Sequence, residues 1–292
     1  MKILVTGAQG FIGRSLVAAL APHHEVYALC RREASFAPSN LTVLRCDLAA
    51  PHGLRMLPAQ IDQVVHLAQS SRFRDWPAPN AASDIFGVNV LATQALLDYA
   101  QRAGACQFLQ ASTGGVYTPS AQPQSELAST APTGYYAATK LAAEVLARPY
   151  DAVFATCALR LFFPYGPGQS DRLMSDLIGR VANGKAVTLR GDADGFRFNP
   201  TYVDDIVTVI VRALEAQWRG IVNVAAPETL SLREAGRIIG AALGREAVFE
   251  ILDSPTALPV LPALDELHAR FPGLRWLSFA DGARATIAAQ IP

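Results

Sequence analysis

No apolar run in this chain of 292 residues reaches the roughly 18 residues that a membrane-crossing helix needs, and the first apolar stretch, residues 3–5, leaves no room for a secretory leader ahead of the glycines that follow. A cytoplasmic protein is expected. Cysteine is scarce: the four (Cys30, Cys46, Cys106 and Cys157) are far apart with no CxxC pair, which speaks against a zinc site or a disulfide framework. Charge of either sign is lacking in excess, with Lys+Arg and Asp+Glu both at 25, so no global field favours nucleic acid or an anionic membrane. Internal repeats and low-complexity tracts are absent as well. The chain has 51% apolar residues, enough for a large buried core, and its partners must be read from local sites.

The first two thirds alternate short β-type runs with longer helical stretches, the pattern of a parallel sheet covered on both faces. Strands are expected at 2–6, 25–29, 41–45, 63–67, 106–111 and 152–160, and helices after Gly10, over 89–103 and over 134–147. This predicts an α/β fold, a Rossmann-type doubly wound parallel sheet. From residue 165 onward, Pro- and Gly-rich clusters separate helical pieces and suggest a smaller C-terminal substrate lobe. A helix at 203–216 and a strand at 220–226 look able to rejoin the main sheet. The expected division is therefore 1–164, rejoined by about 198–226, for the sheet domain, and 165–197 with 227–292 for the lobe. The proline-containing segment 250–265 reads as an extended loop.

Gly7, Gly10 and Gly13 form GxxGxxG between the first strand and the first helix. Glycines there permit a tight turn and close backbone approach, while a helix N-terminus offers free N–H groups and partial positive charge to a pyrophosphate. Phe11 and Ile12, inside the same turn, are counted with this dinucleotide-binding loop. In TGYYAATKLAAE, Tyr136 and Lys140 stand four apart and share a helical face. A phenol, with a reference pKa of about 10, is a poor acid-base group near neutrality, but an adjacent ammonium and a positive nicotinamide ring favour its anion. ASTGGVY (111–117) follows a strand of the same sheet, where loops line the ligand crevice, so Ser112 or Thr113 could present a hydroxyl beside the tyrosine.

Taken together, TGAQGFIG, DL at 47–48, HLA at 66–68, NVLATQALL, ASTGGVY, YAATK, RLFFPYGPGQ, NPTYVDDIV and NVAAPETLSLRE resemble an extended short-chain dehydrogenase/reductase of the NAD-dependent epimerase/dehydratase family, over nearly the whole chain. The resemblance implies that Tyr136 is the catalytic acid/base, Lys140 its electrostatic partner and ribose anchor, and Thr113 the hydroxyl that orients the substrate's reacting oxygen, with Ser112 its neighbour at the substrate. It implies adenine contacts for Asp47 and Leu48, a cofactor-groove floor at Leu67 and Ala68, and a largely structural role for Asn89. It also implies a homodimer paired through the helices containing Asn89 and Tyr136.

Dehydratases of the family follow the central Thr with Asp-Glu; here Gly114 and Gly115 stand in those places, which disfavours elimination of water and leaves hydride and proton transfer. Sugar-nucleotide members carry an Asn where this chain has Phe163, whereas Arg197 falls where members place an arginine on the substrate's phosphates. A guanidinium suits bidentate phosphate contacts. The favoured substrate is a nucleotide-activated sugar. At the end of the second strand, an acid selects NAD and an arginine accommodates the 2′-phosphate of NADP. Cys30 is followed there by Arg31 and Arg32, so NADP(H) is favoured, with NAD(H) the alternative and Glu33 nearby counting against the phosphate. The leading expectation is a keto-sugar nucleotide reductase. A nucleotide-sugar 4-epimerase using the same residues is the alternative, and a non-catalytic NADP(H)-binding sensor is the reading from another class. No metal is expected.

Overall fold

The computed structural model describes residues 1–33, 40–50, 53–191, 193–254 and 259–289. The first element, β1 (Lys2–Thr6), leads through a glycine turn into α1 (Phe11–Leu20) and then β2 (Glu25–Cys30) and β3 (Leu41–Arg45). After β4 (Gln63–His66) comes α2 (Ala81–Phe86), a five-residue wide π-turn at Gly87–Leu91, and α3 (Ala92–Arg102). β5 (Gln107–Thr113), α4 (Tyr135–Ala147) and β6 (Ala155–Leu161) follow. Seven strands form one sheet, in the order Gly220–Val224, β6, β5, β4, β1, β2, β3. The pairs from β3 through β5 are parallel. The strand order reverses between β1 and β4, the point at which a doubly wound sheet opens a crevice beyond its carboxyl ends.

Burial explains the strand sequences. Ile3, Leu4 and Val5 of the central β1 are wholly buried, as a strand covered on both faces requires, while β3 at the edge exposes Val43. Polar residues in the sheet are paired: Gln63 Nε2 donates to Gln107 Oε1 (3.0 Å) and to the Leu214 carbonyl (2.9 Å). In α4 the inward stripe is Ala137, Lys140, Ala143, Glu144 and Ala147, so two charged side chains share the helical face that small alanines bring close to the sheet. The helix ends at Arg148, immediately before Pro149.

Two expectations are corrected. The helix predicted from residue 89 starts instead at Ala81 and passes through the π-turn, where Asn89 interrupts the ordinary ladder to make side-chain bonds. The segment 250–265, expected as a loop, begins inside a strand, Phe249–Leu252, which pairs in parallel with Val187–Arg190 because its backbone finds ladder partners there. Residues 255–258 lie outside the described residues.

The chain divides into two compact units. One comprises residues 1–116, 130–160 and 207–222; the other comprises 117–129, 161–206 and 223–292. The second unit has its own core, in which Tyr165, Met174, Leu177, Leu189, Phe198, Ile239 and Phe279 are buried. Its helix Leu232–Ala242 starts with a reciprocal cap: Ser231 Oγ accepts the Glu234 amide (3.1 Å) and Glu234 accepts the Ser231 amide (2.7 Å).

Candidate active site

The glycine turn sits at the carboxyl end of β1, beside the strand-order reversal. Gly7 has φ 69°, and a β-carbon there would lie 2.8 Å from the Ala68 nitrogen. At Gly13 it would lie 2.1 Å from the Gly7 carbonyl oxygen, so neither position admits a side chain. The Gly10 amide bonds the Gly7 carbonyl at 2.8 Å, and α1 starts at Phe11 with no side-chain cap and no acid in its first turn. Its first amides, including those of Phe11 and Ile12, are therefore available to an anion, and the cradle fits a dinucleotide pyrophosphate.

Around the turn, the end of β2 is close: burial pushes the Cys30 thiol pKa up, opposed by a hydrogen bond from the Gln9 amide. Gln9 Nε2 in turn donates to the Glu33 carbonyl (3.0 Å). Arg31, Arg32 and Glu33 are all exposed, and Cys30 is buried, so the end of β2 presents cations without a carboxylate at its last position. Asp47 is exposed and accepts the Ala49 amide (3.0 Å), a local turn, while Leu48 is half-buried against the sheet's core. Leu67 and Ala68 continue β4, with the Leu67 amide on the Thr6 carbonyl (3.3 Å) and the Ala68 amide on Thr6 Oγ1 (3.2 Å).

His66, the last residue of β4, is buried; from sequence it stood out only within HLA at 66–68 and was given no role. Thr93 Oγ1 donates to the Asn89 carbonyl (2.7 Å), so at 3.0 Å it must accept from His66 Nε2; Nδ1 is then left to accept from Thr6 Oγ1 at 2.7 Å. The ring is neutral: burial first, and then the Lys140 ammonium, hold its pKa down at about 3.

Lys140 is 3% exposed. Burial lowers its pKa to about 8, with Glu144 opposing the shift. Glu144 is held by Arg160, which donates from Nη2 to Oε2 (2.7 Å) and from Nε to Oε1 (3.1 Å), an ion pair with both side chains nearly fully buried. Ser112 also donates to Glu144 Oε1, so the serine hydroxyl is committed to this interior network. Thr113 ends β5, and its Oγ1 accepts the Gly115 amide (3.2 Å). A β-carbon on Gly115 would stand 3.5 Å from Thr113 Oγ1 and 3.6 Å from Ala137 Cβ, which sets the Thr113 loop against the first turn of α4.

Tyr136 opens that turn. Its hydroxyl donates to Gln69 Oε1 (2.8 Å), and its ring lies 5.0 Å from that of Phe73. Asn89 braces the arrangement: its Oδ1 accepts the Ser70 amide (3.0 Å), its Nδ2 donates to Thr139 Oγ1 (3.0 Å), and Thr139 donates to the Tyr136 carbonyl (2.8 Å). Gly7, Ala68, Thr113, Tyr136 and Lys140 thus all belong to the first unit. Phe163 and Arg197 belong to the second. Phe163 adopts φ 40°, an unusual conformation for a bulky residue, and packs against Phe198 (centroids 5.1 Å) and Phe196 (6.2 Å). Arg197 is exposed, bonded to the Thr229 carbonyl (3.2 Å) and 4.0 Å from Glu234.

From sequence, His66 was given no role, and Gln69 and the Glu144–Arg160 pair were missed. One signal was available: Glu144 follows Lys140 at i+4 on the same helix face. Among the described residues no cluster of His, Cys, Asp and Glu suits a metal, and no helix is long and apolar enough to cross a membrane.

A model of the NAD dependent epimerase/dehydratase family matches residues 3–225. The chain belongs to that family. As a family member it is an NAD(P)-dependent enzyme of the extended short-chain dehydrogenase/reductase type. It is 30% identical to an uncharacterized UDP-glucose epimerase, YtcB, of Bacillus subtilis, over 89% of this chain and 87% of that one. To a 2-alkyl-3-oxoalkanoate reductase of Stenotrophomonas maltophilia it is also 30% identical, over 88% of this chain and 80% of that one. The UDP-glucuronic acid 4-epimerase of Bacillus cereus, solved with UDP-glucuronic acid and NAD, superposes with TM-score 0.86 at 26% identity, covering 99% of this family member and 98% of that chain.

Proposed function

We propose that the chain is a nucleotide-sugar 4-epimerase in which Tyr136 moves the proton. The observation that carries the reading is the proton-transfer set at the head of α4, Thr113, Tyr136 and the buried Lys140, standing beside Gly114 and Gly115 where elimination chemistry would need an acid and a base. Likeness to the UDP-glucuronic acid 4-epimerase supports epimerisation over net reduction, which the sequence had favoured. A nicotinamide dinucleotide on the glycine turn would supply the hydride acceptor and donor. Gly7, Gly10, Phe11, Ile12 and Gly13 would hold its pyrophosphate, Asp47 and Leu48 its adenine, and Leu67 and Ala68 its face, while Lys140 would donate to its ribose.

In this scheme Tyr136 Oη takes the proton of a sugar hydroxyl as the carbinol is oxidised and returns it when the ketone is reduced from the opposite face. Thr113 Oγ1 donates to the reacting oxygen, and the ammonium of Lys140 stabilises the phenolate. Arg197 is the candidate for the substrate's diphosphate, while Phe163 stands where sugar-nucleotide members carry an Asn; Ser112 acts through Glu144 instead of on the substrate. The α2–α4 helices expose Phe86, Leu91, Val145 and Leu146, apolar side chains suited to pairing two copies as a homodimer.

A keto-sugar nucleotide reductase drawing on NADPH is the second reading, favoured by the exposed Arg31 and Arg32 behind a buried Cys30. The deciding experiment incubates the purified protein with UDP-glucose and UDP-glucuronic acid without added reductant and resolves the 4-epimers by chromatography, after identifying any retained dinucleotide by mass spectrometry. Epimers formed without net NAD(P)H oxidation support the proposal. In a parallel incubation supplied with NADPH and a nucleotide-linked keto-sugar, stoichiometric NADPH consumption with a reduced sugar, alongside no epimer in the first, overturns it in favour of the second reading, and full turnover by Tyr136→Phe overturns both.

A further inference from the structure

We propose that Gln69 is a positioning residue that follows the proton on Tyr136, accepting from the phenol through Oε1 and donating to the phenolate through Nε2. This rests on Tyr136 being the proton carrier proposed above. Oε1 stands 2.8 Å from Tyr136 Oη in the neutral state. A carboxamide carries an acceptor and a donor at nearly the same reach, so a half-turn about its last torsion exchanges one for the other. When the phenolic O–H bond breaks and the proton passes to the sugar oxygen, the phenolate gains an N–H bond in place of the one it gave.

Gln69 is fixed for this from both sides. The Ala68 amide is bonded to Thr6 Oγ1 and the Ser70 amide to Asn89 Oδ1, while Ser70 Oγ donates to Asp84. Asn89 also reaches Thr139, and Thr139 holds the Tyr136 carbonyl, so one asparagine ties the backbones of the glutamine and the tyrosine together. The Phe73 ring covers the tyrosine ring and limits its swing. The charged and titratable groups on α2, α4 and the turn after β4 are Tyr135, Lys140 and Glu144 on α4, Asp84 on α2, Arg72, Arg74 and Asp75 in the turn, with His66 at the end of β4; the Tyr135 ring stacks on Trp76 (centroids 4.6 Å). None of the charged side chains among them can offer both a donor and an acceptor to the same phenol oxygen without changing its own charge, and the two nitrogens of the neutral His66 are occupied by Thr6 and Thr93.

The test is a pH titration of the whole protein labelled with 13C at the tyrosine ζ carbon, with Tyr136→Phe assigning the resonance. Gln69→Met removes both bonds; since a donor to an anion is the stronger of the two, the Tyr136 ionisation should move to higher pH. Gln69→Glu leaves only acceptors and adds a negative charge, and should move it further, by about one pH unit or more. The order wild type, Met, Glu is expected. An ionisation unmoved or lowered in Gln69→Met, or unmoved in Gln69→Glu, overturns the inference. Should Gln69→Met fail to fold, the Glu variant alone decides by the same criterion. The two readings separate: retained turnover in Tyr136→Phe removes the catalytic role but leaves the titration order intact, whereas an unmoved titration removes the role of Gln69 alone.

Discussion

Replacing Glu144 by Gln should be among the most damaging single changes in the first unit, although it adds and removes no bulk. Arg160 and Glu144 are 3% and 4% exposed, joined by two hydrogen bonds of 2.7 and 3.1 Å. Their attraction offsets a desolvation cost that remains when one partner is neutralised, and stranding a buried charge in this way costs about 3–5 kcal/mol. Spread over a chain of this size, that lowers the thermal midpoint by roughly 5–15 °C. The double variant Glu144→Gln with Arg160→Met should recover most of the loss, since no ion is then left unpaired. Calorimetry on wild type, both singles and the double closes the cycle. The same change carries a second signature: Glu144 opposes the lowering of the Lys140 pKa, so without it the amine should titrate below its present value of about 8. A Glu144→Gln protein within about 1 kcal/mol of wild type, with no coupling in the cycle, would refute the assignment of this pair as a desolvated ion pair supporting Lys140.

Other outcomes follow from the same geometry. Lys140 has a depressed folded pKa of about 8, so the folded chain binds fewer protons than the unfolded one up to the ordinary lysine range; stability should rise with pH across that window, by on the order of 3 kcal/mol in all, and Lys140→Met should flatten the rise in denaturant titrations of cofactor-free protein. Arg31→Ala with Arg32→Ala should weaken NADPH binding about tenfold or more while sparing NADH in calorimetric titrations; equal losses would return both arginines to plain solvated surface. For the proposed homodimer, Leu91→Asp with Val145→Asp should shift the mass measured by light scattering from dimer to monomer, since both side chains are apolar and exposed, whereas a wild-type monomer would remove the pairing proposal.

Much of the site could be read in advance because it depends on short spacings. Gly7, Gly10 and Gly13 sit within one turn, and Tyr136 and Lys140 one helical turn apart, so local periodicity alone places them. The strands of the main sheet were legible for a similar reason: buried parallel strands such as Ile3, Leu4 and Val5 are apolar without interruption. The extra helix at Ala81–Phe86 was not legible, since its start follows a proline-rich turn and its joining to α3 depends on the π-turn that Asn89 stabilises through residues 19 and 50 positions away.

The amino-acid order by itself determined the alternation of strand and helix, the turn that only glycines fit and the helix face shared by Tyr136 and Lys140, because each is set by interactions within a few residues. Only the tertiary structure decided that Ser112 turns inward to Glu144, that Lys140 is dry enough to titrate near neutrality, that His66 is a neutral brace and that Gln69 meets the tyrosine hydroxyl. Those properties come from partners up to 67 residues away and from the exclusion of water, and neither distance across the fold nor burial is written in the neighbours along the chain.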